Sequence, residues 1–392
     1  MTDKSRSIAF LVLAEILAMT MWFVSAAILG DLSTEYSVTP LVAAALSASV
    51  QAGFVVGALL AAITGVADRY DPRKVFAAFA LIASIANALL LSLPNPGMAI
   101  ALRFATGFCL AGVYPVGMKI AVGWGTEDRG WLVGLLVGGL TLGSASPHLI
   151  SYLGGTNWRL TLILSSALAI VSAVLVLQTK LGPHHSTAKR FRTSAILVAW
   201  TDKRIRHAYA GYFSHMWELY AMWAWIGTAA TASYALQTNG QSAAQLGKLT
   251  AFCAIALGAL TCPLAGIFAD RIGKARITIW AMSGSALSAL AAAVAFGGPV
   301  WLFFLIAVVW GITIIPDSAQ FSALIADFAN PELAGSLMTL QTSIGFALTI
   351  ATVQLTPLVA GALGWPILFL ILALGPIVGI LAMRPLAKSS ND

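Results

Sequence analysis

The chain has 392 residues, 59% of them hydrophobic and 9% charged, with a mean hydropathy of +0.87, whereas a soluble domain carries roughly 25% charged residues; a water-soluble globular protein is therefore excluded. A helix needs about 20 mostly apolar residues to cross the bilayer core, so this composition supplies about a dozen crossings and leaves no room for a large soluble domain. The net charge of +7 sits mainly between apolar runs, which speaks for membrane topology rather than nucleic acid, and Cys109, Cys253 and Cys262 all lie inside apolar runs, so no disulfide framework, metal site or cofactor is expected.

Taken in order, the predicted spans are 8–30, 41–63, 74–93, 98–122, 131–153 and 160–179, then 208–236, 243–265, 275–296, 299–325, 335–358 and 366–385. The first run is longer than a signal-peptide core and lacks a cleavage site, so it is expected to remain as a membrane helix. Between the two sets lies the longest polar stretch, with "GPHHSTAKRFRT" and "TDKRIRH". These features predict an all-α membrane protein with twelve transmembrane helices in two six-helix pseudo-symmetric bundles: an N-terminal bundle at 1–180, a cytoplasmic linker at 181–207 and a C-terminal bundle at 208–392. Allotting the intervening segments to alternate sides places every Lys and Arg except Arg103, Lys119, Arg159 and Lys248 on the side of the N-terminus. By the excess of basic residues on the inner side, both termini are expected to be cytoplasmic, in the plasma (inner) membrane.

The turn after the second span, "GVADRYDPRKV" (65–75), packs five charged residues into a chain poor in charge, and "GIFADRIGKARI" (266–277) repeats its Ala-Asp-Arg after the eighth span. The halves therefore read as structural repeats. Asp68 and Asp270 are expected to accept hydrogen bonds from the freed amides of the following helix. Arg69 and Arg73, with Arg271, are expected to reach carboxylates or helix C-termini on the opposing bundle and so to close one conformation.

These loops resemble the signature of the major facilitator superfamily, Gly-x-Leu-Ala-Asp-Arg-x-Gly-Arg-Lys. Asp71 stands where that family has Gly, and Gly65 comes one place late; the second loop keeps both Gly266 and Gly273. "RFATGFCLAGVYP" (103–115) is similar to that family's fourth-helix pattern. The resemblance spans essentially the whole chain and implies alternating access by two bundles around a midplane cavity. It also implies a place for Arg103 in proton-linked machinery. "GLLVGGLTLGSASPHLI" (134–150) loosely resembles the Gly-Pro pattern of proton antiporters, with Ser146-Pro147 replacing Gly-Pro, which favours export; its small residues also serve tight helix packing.

An ionisable group inside a span costs roughly 2.5 to 3.5 kcal/mol on insertion scales, so each is a functional candidate. Glu15 sits seven residues into the first predicted span, about 10 Å deep at 1.5 Å per residue, with no basic neighbour in sequence. It is either a carrier of the coupled proton or a neutral acid bonded to another helix; Trp22, two turns on, extends the same face toward a cavity. Arg103 cannot lose its proton and needs a partner. Lys119 lies near the inner end of its span and reads as snorkelling.

His215 and Glu218 share a face of the seventh span, as a substrate or proton-relay pair or as an interfacial pair. Asp317 follows Pro316 beside Gln320, and serves either coupling and binding or local capping of the kink; Gln341 adds a polar group in the eleventh span. His148, next to Pro147, either lines the cavity or packs between helices.

The expected function is a secondary transporter of a small molecule, proton-coupled and leaning to efflux by antiport. Proton coupling falls to Glu15, Asp317, Glu218 and Arg103, and the cavity to Trp22, His215, Gln320, Gln341 and His148. Uptake of a small organic anion is the alternative, since Arg103, Lys119 and the span histidines suit an anion, whereas the acids and tryptophans suit a cation. No phosphate-binding Gly-Lys loop for ATP and no clustered catalytic groups are present, so an enzyme is not expected. A membrane enzyme or channel is the reading of another class. The expected partners are the substrate, protons and the bilayer, with the chain acting as a monomer.

Overall fold

The computed structural model describes residues 2–92, 95–125, 128–185, 194–330 and 332–388, without the side chains of 67, 68, 194 and 195. Its regular structure is helical throughout, with no strand among the described residues. In order, the helices are α1 (Asp3–Met19), α2 (Val24–Glu35), α3 (Pro40–Thr64), α4 (Val66–Arg69), α5 (Pro72–Ala88), α6 (Pro96–Leu110), α7 (Tyr114–Val122), α8 (Arg129–Leu153) and α9 (Trp158–Leu177). The second part comprises α10 (Ser194–Thr201), α11 (Lys203–Tyr234), α12 (Gly240–Ile272), α13 (Lys274–Ala295), α14 (Val300–Ile314), α15 (Ser318–Phe328), α16 (Ala334–Leu363) and α17 (Trp365–Lys388).

Local chemistry sets the starts. Thr39, Asn95, Asn157 and Asn239 each accept a hydrogen bond from a first-turn amide of α3, α6, α9 and α12, and Pro40 and Pro96 follow where a missing N–H costs nothing. These four helices begin on the face opposite the chain ends, here the far face. Gly65 ends α3 with φ 64°, a left-handed conformation that a side chain would strain.

Eleven described helical segments are long and apolar enough to cross a membrane. The predicted seventh span differs: α11 is 32 residues long and begins inside the stretch expected to be linker, yet it falls short of that hydropathy. Its residues are buried almost all round, from Ile205 to Tyr234. A helix enclosed by protein rather than lipid tolerates His215, Glu218 and four tyrosines. The expected linker is likewise not wholly a loop, since α10 and the start of α11 occupy 194–207; residues 186–193 lie outside the described set.

Packing repeats between the halves. The contacts α1–α9, α1–α8, α3–α6, α5–α9 and α5–α6 recur as α11–α17, α11–α16, α12–α14, α13–α17 and α13–α14. The two most extensive contacts from one set to the other are α8–α12 and α3–α16, and the same relation exchanges them. The first is the more extensive, because small residues let the backbones meet. A Cβ on Gly134 would lie 2.8 Å from Pro263 Cα, and one on Gly138 would lie 2.8 Å from Ala259 O. The fourth and tenth spans break at corresponding places, between α6 and α7 and between α14 and α15.

Candidate functional site

The first span also breaks, between α1 and α2, where Met21 and Trp22 N–H turn back to Ala18 and Met19 carbonyls. Carbonyls freed there are satisfied by Arg103: its Nη2 donates to Met21 O at 2.9 Å and to Trp22 O at 2.7 Å. Its Nη1 donates to Asn87 Oδ1 at 3.1 Å, and Asn87 is held in turn by Ser166 Oγ at 3.0 Å. Arg103 is wholly buried, and its hydrogen bonds go to carbonyls and an amide rather than to a carboxylate. The geometry makes it a brace for the broken helix, a role invisible in sequence because no proline or glycine marks the break.

Glu15 of α1 is fully buried, with neither carboxylate oxygen hydrogen-bonded. Gly117 of α7 and Gly139 of α8 make its room: a Cβ on Gly117 would come within 2.7 Å of Glu15 Oε2, and one on Gly139 within 3.6 Å of Cγ. Tyr114, at the start of α7, is in electrostatic reach of Glu15 and, across the seam between halves, of Tyr212 and Cys262.

In the second half, Asp317 stands where α15 begins but makes no capping hydrogen bond, so local capping of the kink does not account for it. It faces His215, whose Nδ1 is 3.0 Å from Asp317 Oδ1, an ion-pair distance without hydrogen-bond alignment. The expected His215–Glu218 pair is not formed. Glu218 instead accepts hydrogen bonds from Ser285 Oγ and Trp310 Nε1, each at 2.7 Å, inside the packing of α11 against α13 and α14. Gln320 is buried on α15, and Gln341 is buried on α16 with both amide atoms unpartnered.

Above this layer the halves meet ring to ring. Trp22 stands 4.9 Å from Phe54 and 5.9 Å from both Tyr220 and Phe346, centroid to centroid. Phe346 in turn is 4.6 Å from Phe54 and 5.1 Å from Tyr220. Trp22 Nε1, Gln51 Oε1 and Trp223 Nε1 are buried here without hydrogen-bond partners. Sequence reading finds Trp22 and Gln341 but misses Gln51, Phe54, Tyr212, Tyr220 and Phe346. A lone Gln in the apolar second span is the available signal; the rings look like ordinary apolar residues.

On the face carrying the chain ends, Lys4 bonds Asp128 at 2.7 Å and Lys180 bonds Asp3 at 2.8 Å. Of the loop residues, Arg73 pairs with Asp71 at 2.6 Å and donates to Thr179 O at 3.0 Å, beyond the C-terminus of α9 in its own half rather than the opposing one. Asp71 caps α5, accepting from Arg73 N–H; the Arg73 guanidinium holds the Asp71 carboxyl below its ordinary range. The Asp68 side chain lies outside the described residues, and Arg69 ends α4, exposed. Asp270 and Arg271 lie in the last turn of α12, so Asp270 does not cap α13, whose N-cap is Gly273 with no side-chain cap. Asp270 instead overlies the other half, its Oδ2 3.6 Å from where a Cβ of Gly130 would stand.

The far face holds a buried cross-link that sequence reading misses. Lys248 of α12 donates to Asp31 Oδ2 of α2 at 2.6 Å and to Gly155 O at 2.6 Å. Ser151 Oγ of α8 completes it, donating to Ala27 O at 3.1 Å. Both charged side chains are nearly inaccessible, 10% and 8% exposed. His148, expected in the cavity, lies one turn before Ser151 on α8, buried, with its Nε2 lacking a hydrogen-bond partner. Glu35 and Arg159 form a second, exposed pair at 2.6 Å within the first half.

Comparison with known proteins gives the geometry a family. A solved structure of the nucleoside transporter NupG (D323A mutant) is similar over 98% of this chain and 99% of that one, with a TM-score of 0.70 and 15% identity. The xylose transporter XylE from E. coli, in a partially occluded inward open conformation, is similar over 98% of each chain, with a TM-score of 0.76 and 13% identity. At these identities the likeness is one of fold. A comparison with curated proteins returns no match. The sequence model of the Major Facilitator Superfamily matches residues 11–348. An all-helical chain with many membrane-crossing segments, that match and these folds together make this a multi-pass membrane transporter rather than an enzyme, and a member of the Major Facilitator Superfamily.

Proposed function

We propose that this chain is a proton-coupled secondary transporter of a small molecule, working as a monomer by alternating access and oriented for efflux by antiport. In this reading α11 is the seventh span and brings the total to twelve, 1–180 and 208–392 are the two six-helix bundles joined by 181–207, and both termini face the cytoplasm of the inner membrane. The observation that carries it is the pair of buried acid positions at the seam between the repeat-related halves. Glu15 lies on one side and Asp317 with His215 on the other. A buried carboxylate without a donor needs a proton or a cation to compensate its charge, and rocking of the halves would carry that group from one face to the other.

Around this centre the parts divide the work. Arg103 holds the α1–α2 break that aims Trp22 at the seam. Glu218, bonded to Ser285 and Trp310, fixes α11 against α13 and α14 and stands outside the proton path. Asp270 against α8 on the inner face, and Asp31–Lys248 on the outer face, act as the two closures. Purified protein in proteoliposomes tests the reading: an imposed pH gradient, inside acidic or inside alkaline, should drive saturable flux of a substrate found by counterflow. Flux indifferent to the proton gradient in both directions would refute the coupling.

A further inference from the structure

Resting on that transport reading, the charge and ring content of the seam identify the class of cargo. Among the described residues the buried charged side chains are Glu15, Asp31, Arg103, Glu218, Lys248 and Asp317. Both cations are already engaged: Arg103 with the carbonyls of the α1–α2 break, and Lys248 with Asp31 at the far face. Glu218 is satisfied by Ser285 and Trp310. The acids without a hydrogen bond are Glu15, at both oxygens, and Asp317 at Oδ1, which stands 3.0 Å from His215 Nδ1.

The rings lie farther along the same spans, toward the far face. Trp22 follows Glu15 along the first span, Tyr220 follows His215 along α11, and Phe346 follows Gln341 along α16, all three helices running away from the chain-terminal face. Four ring systems drawn from both halves, with centroids 4.6 to 5.9 Å apart, form one aromatic cluster at the seam. Ring faces attract a desolvated cation, most strongly those of Trp and Tyr. Polar atoms of Gln51, Trp22 and Gln341 are also buried without hydrogen-bond partners, and such groups call for an explanation, for which a bound molecule serves. An anion would meet acids and ring faces with no free Lys or Arg to receive it.

We infer that the seam binds a lipophilic organic monocation, its charge compensated by Glu15 or Asp317 and its apolar body held among Trp22, Phe54, Tyr220 and Phe346. The test is equilibrium dialysis on the purified full chain. The cation probes are benzyltrimethylammonium and tetraphenylphosphonium; the comparison probes are the anion phenylacetate and the neutral compounds uridine and xylose. At least one cation is expected to bind at least 100-fold more tightly than every comparison probe. Glu15→Gln should weaken that cation at least tenfold, and Tyr220→Leu, which leaves all charges in place, at least fivefold. A comparison probe that binds as tightly as the cations, or failure of both cations to bind the unmodified protein, overturns the inference. Proton-driven flux of a neutral or anionic compound in vesicles would then leave the transporter reading standing while removing the cation.

Discussion

The buried pair Asp31–Lys248 ties α2 to α12 across the two halves, and its loss should open the far face. Removing one member of a buried, hydrogen-bonded pair costs about 3–5 kcal/mol because the other charge is left uncompensated. In Lys248→Met that burden falls on the closed arrangement alone, since opening lets water reach Asp31, now 8% exposed. At about 1.4 kcal/mol per tenfold, the closed-to-open ratio should fall by roughly two to three and a half powers of ten. The second change restores balance: in Asp31→Leu with Lys248→Met both charges are gone, and an apolar replacement of a buried pair is near neutral. Spin labels at Leu153 and Leu236, exposed residues at the far-face ends of α8 and α11, report the opening by double electron–electron resonance once Cys109, Cys253 and Cys262 are replaced. Lys248→Met at pH 8 should lengthen the distances, and the double variant should return them. A Lys248→Met distribution that overlays the parent would refute the idea that this bridge holds the halves together.

Further outcomes follow from the centre. Glu15→Gln should abolish accumulation driven by a pH gradient yet retain substrate-for-substrate exchange, both measured in reconstituted vesicles; full proton-driven accumulation would move the proton to Asp317. Asp317→Asn should raise the substrate KM about tenfold or more and shift its pH dependence, because the group 3.0 Å from His215 is then an amide that cannot exchange a proton; an unchanged KM and pH profile would make Asp317 structural. Arg103→Lys keeps the charge but cannot serve Met21 O, Trp22 O and Asn87 together, so it should lower the melting temperature and slow transport, while Arg103→Gln should do so more severely. Gly138→Ala should cost about 1–3 kcal/mol of stability by overpacking, since its Cβ would stand 2.8 Å from Ala259 O; a thermal melt equal to the parent's would show that α8 and α12 separate easily.

Hydropathy and turn chemistry are local, and what depends on them alone is legible in the sequence. Apolar runs place eleven of the crossing segments, Thr39, Asn95, Asn157 and Asn239 mark helix starts, and the small residues of 134–150 announce a close helix contact. The cost of burying charge also singles out Glu15, Arg103, His215, Glu218 and Asp317 by their positions within apolar runs. Which partner each finds is not legible, because that depends on the rotation of helices distant in sequence. His215 meets Asp317 rather than Glu218, Arg103 meets the carbonyls of a break that no proline or glycine announces, and Lys248 meets an aspartate 217 residues away. Even the polarity of α11 has a tertiary cause: enclosed by other helices instead of lipid, it incurs no bilayer penalty for its polar groups. Composition along the chain determines that a charge must be compensated; only packing decides by what.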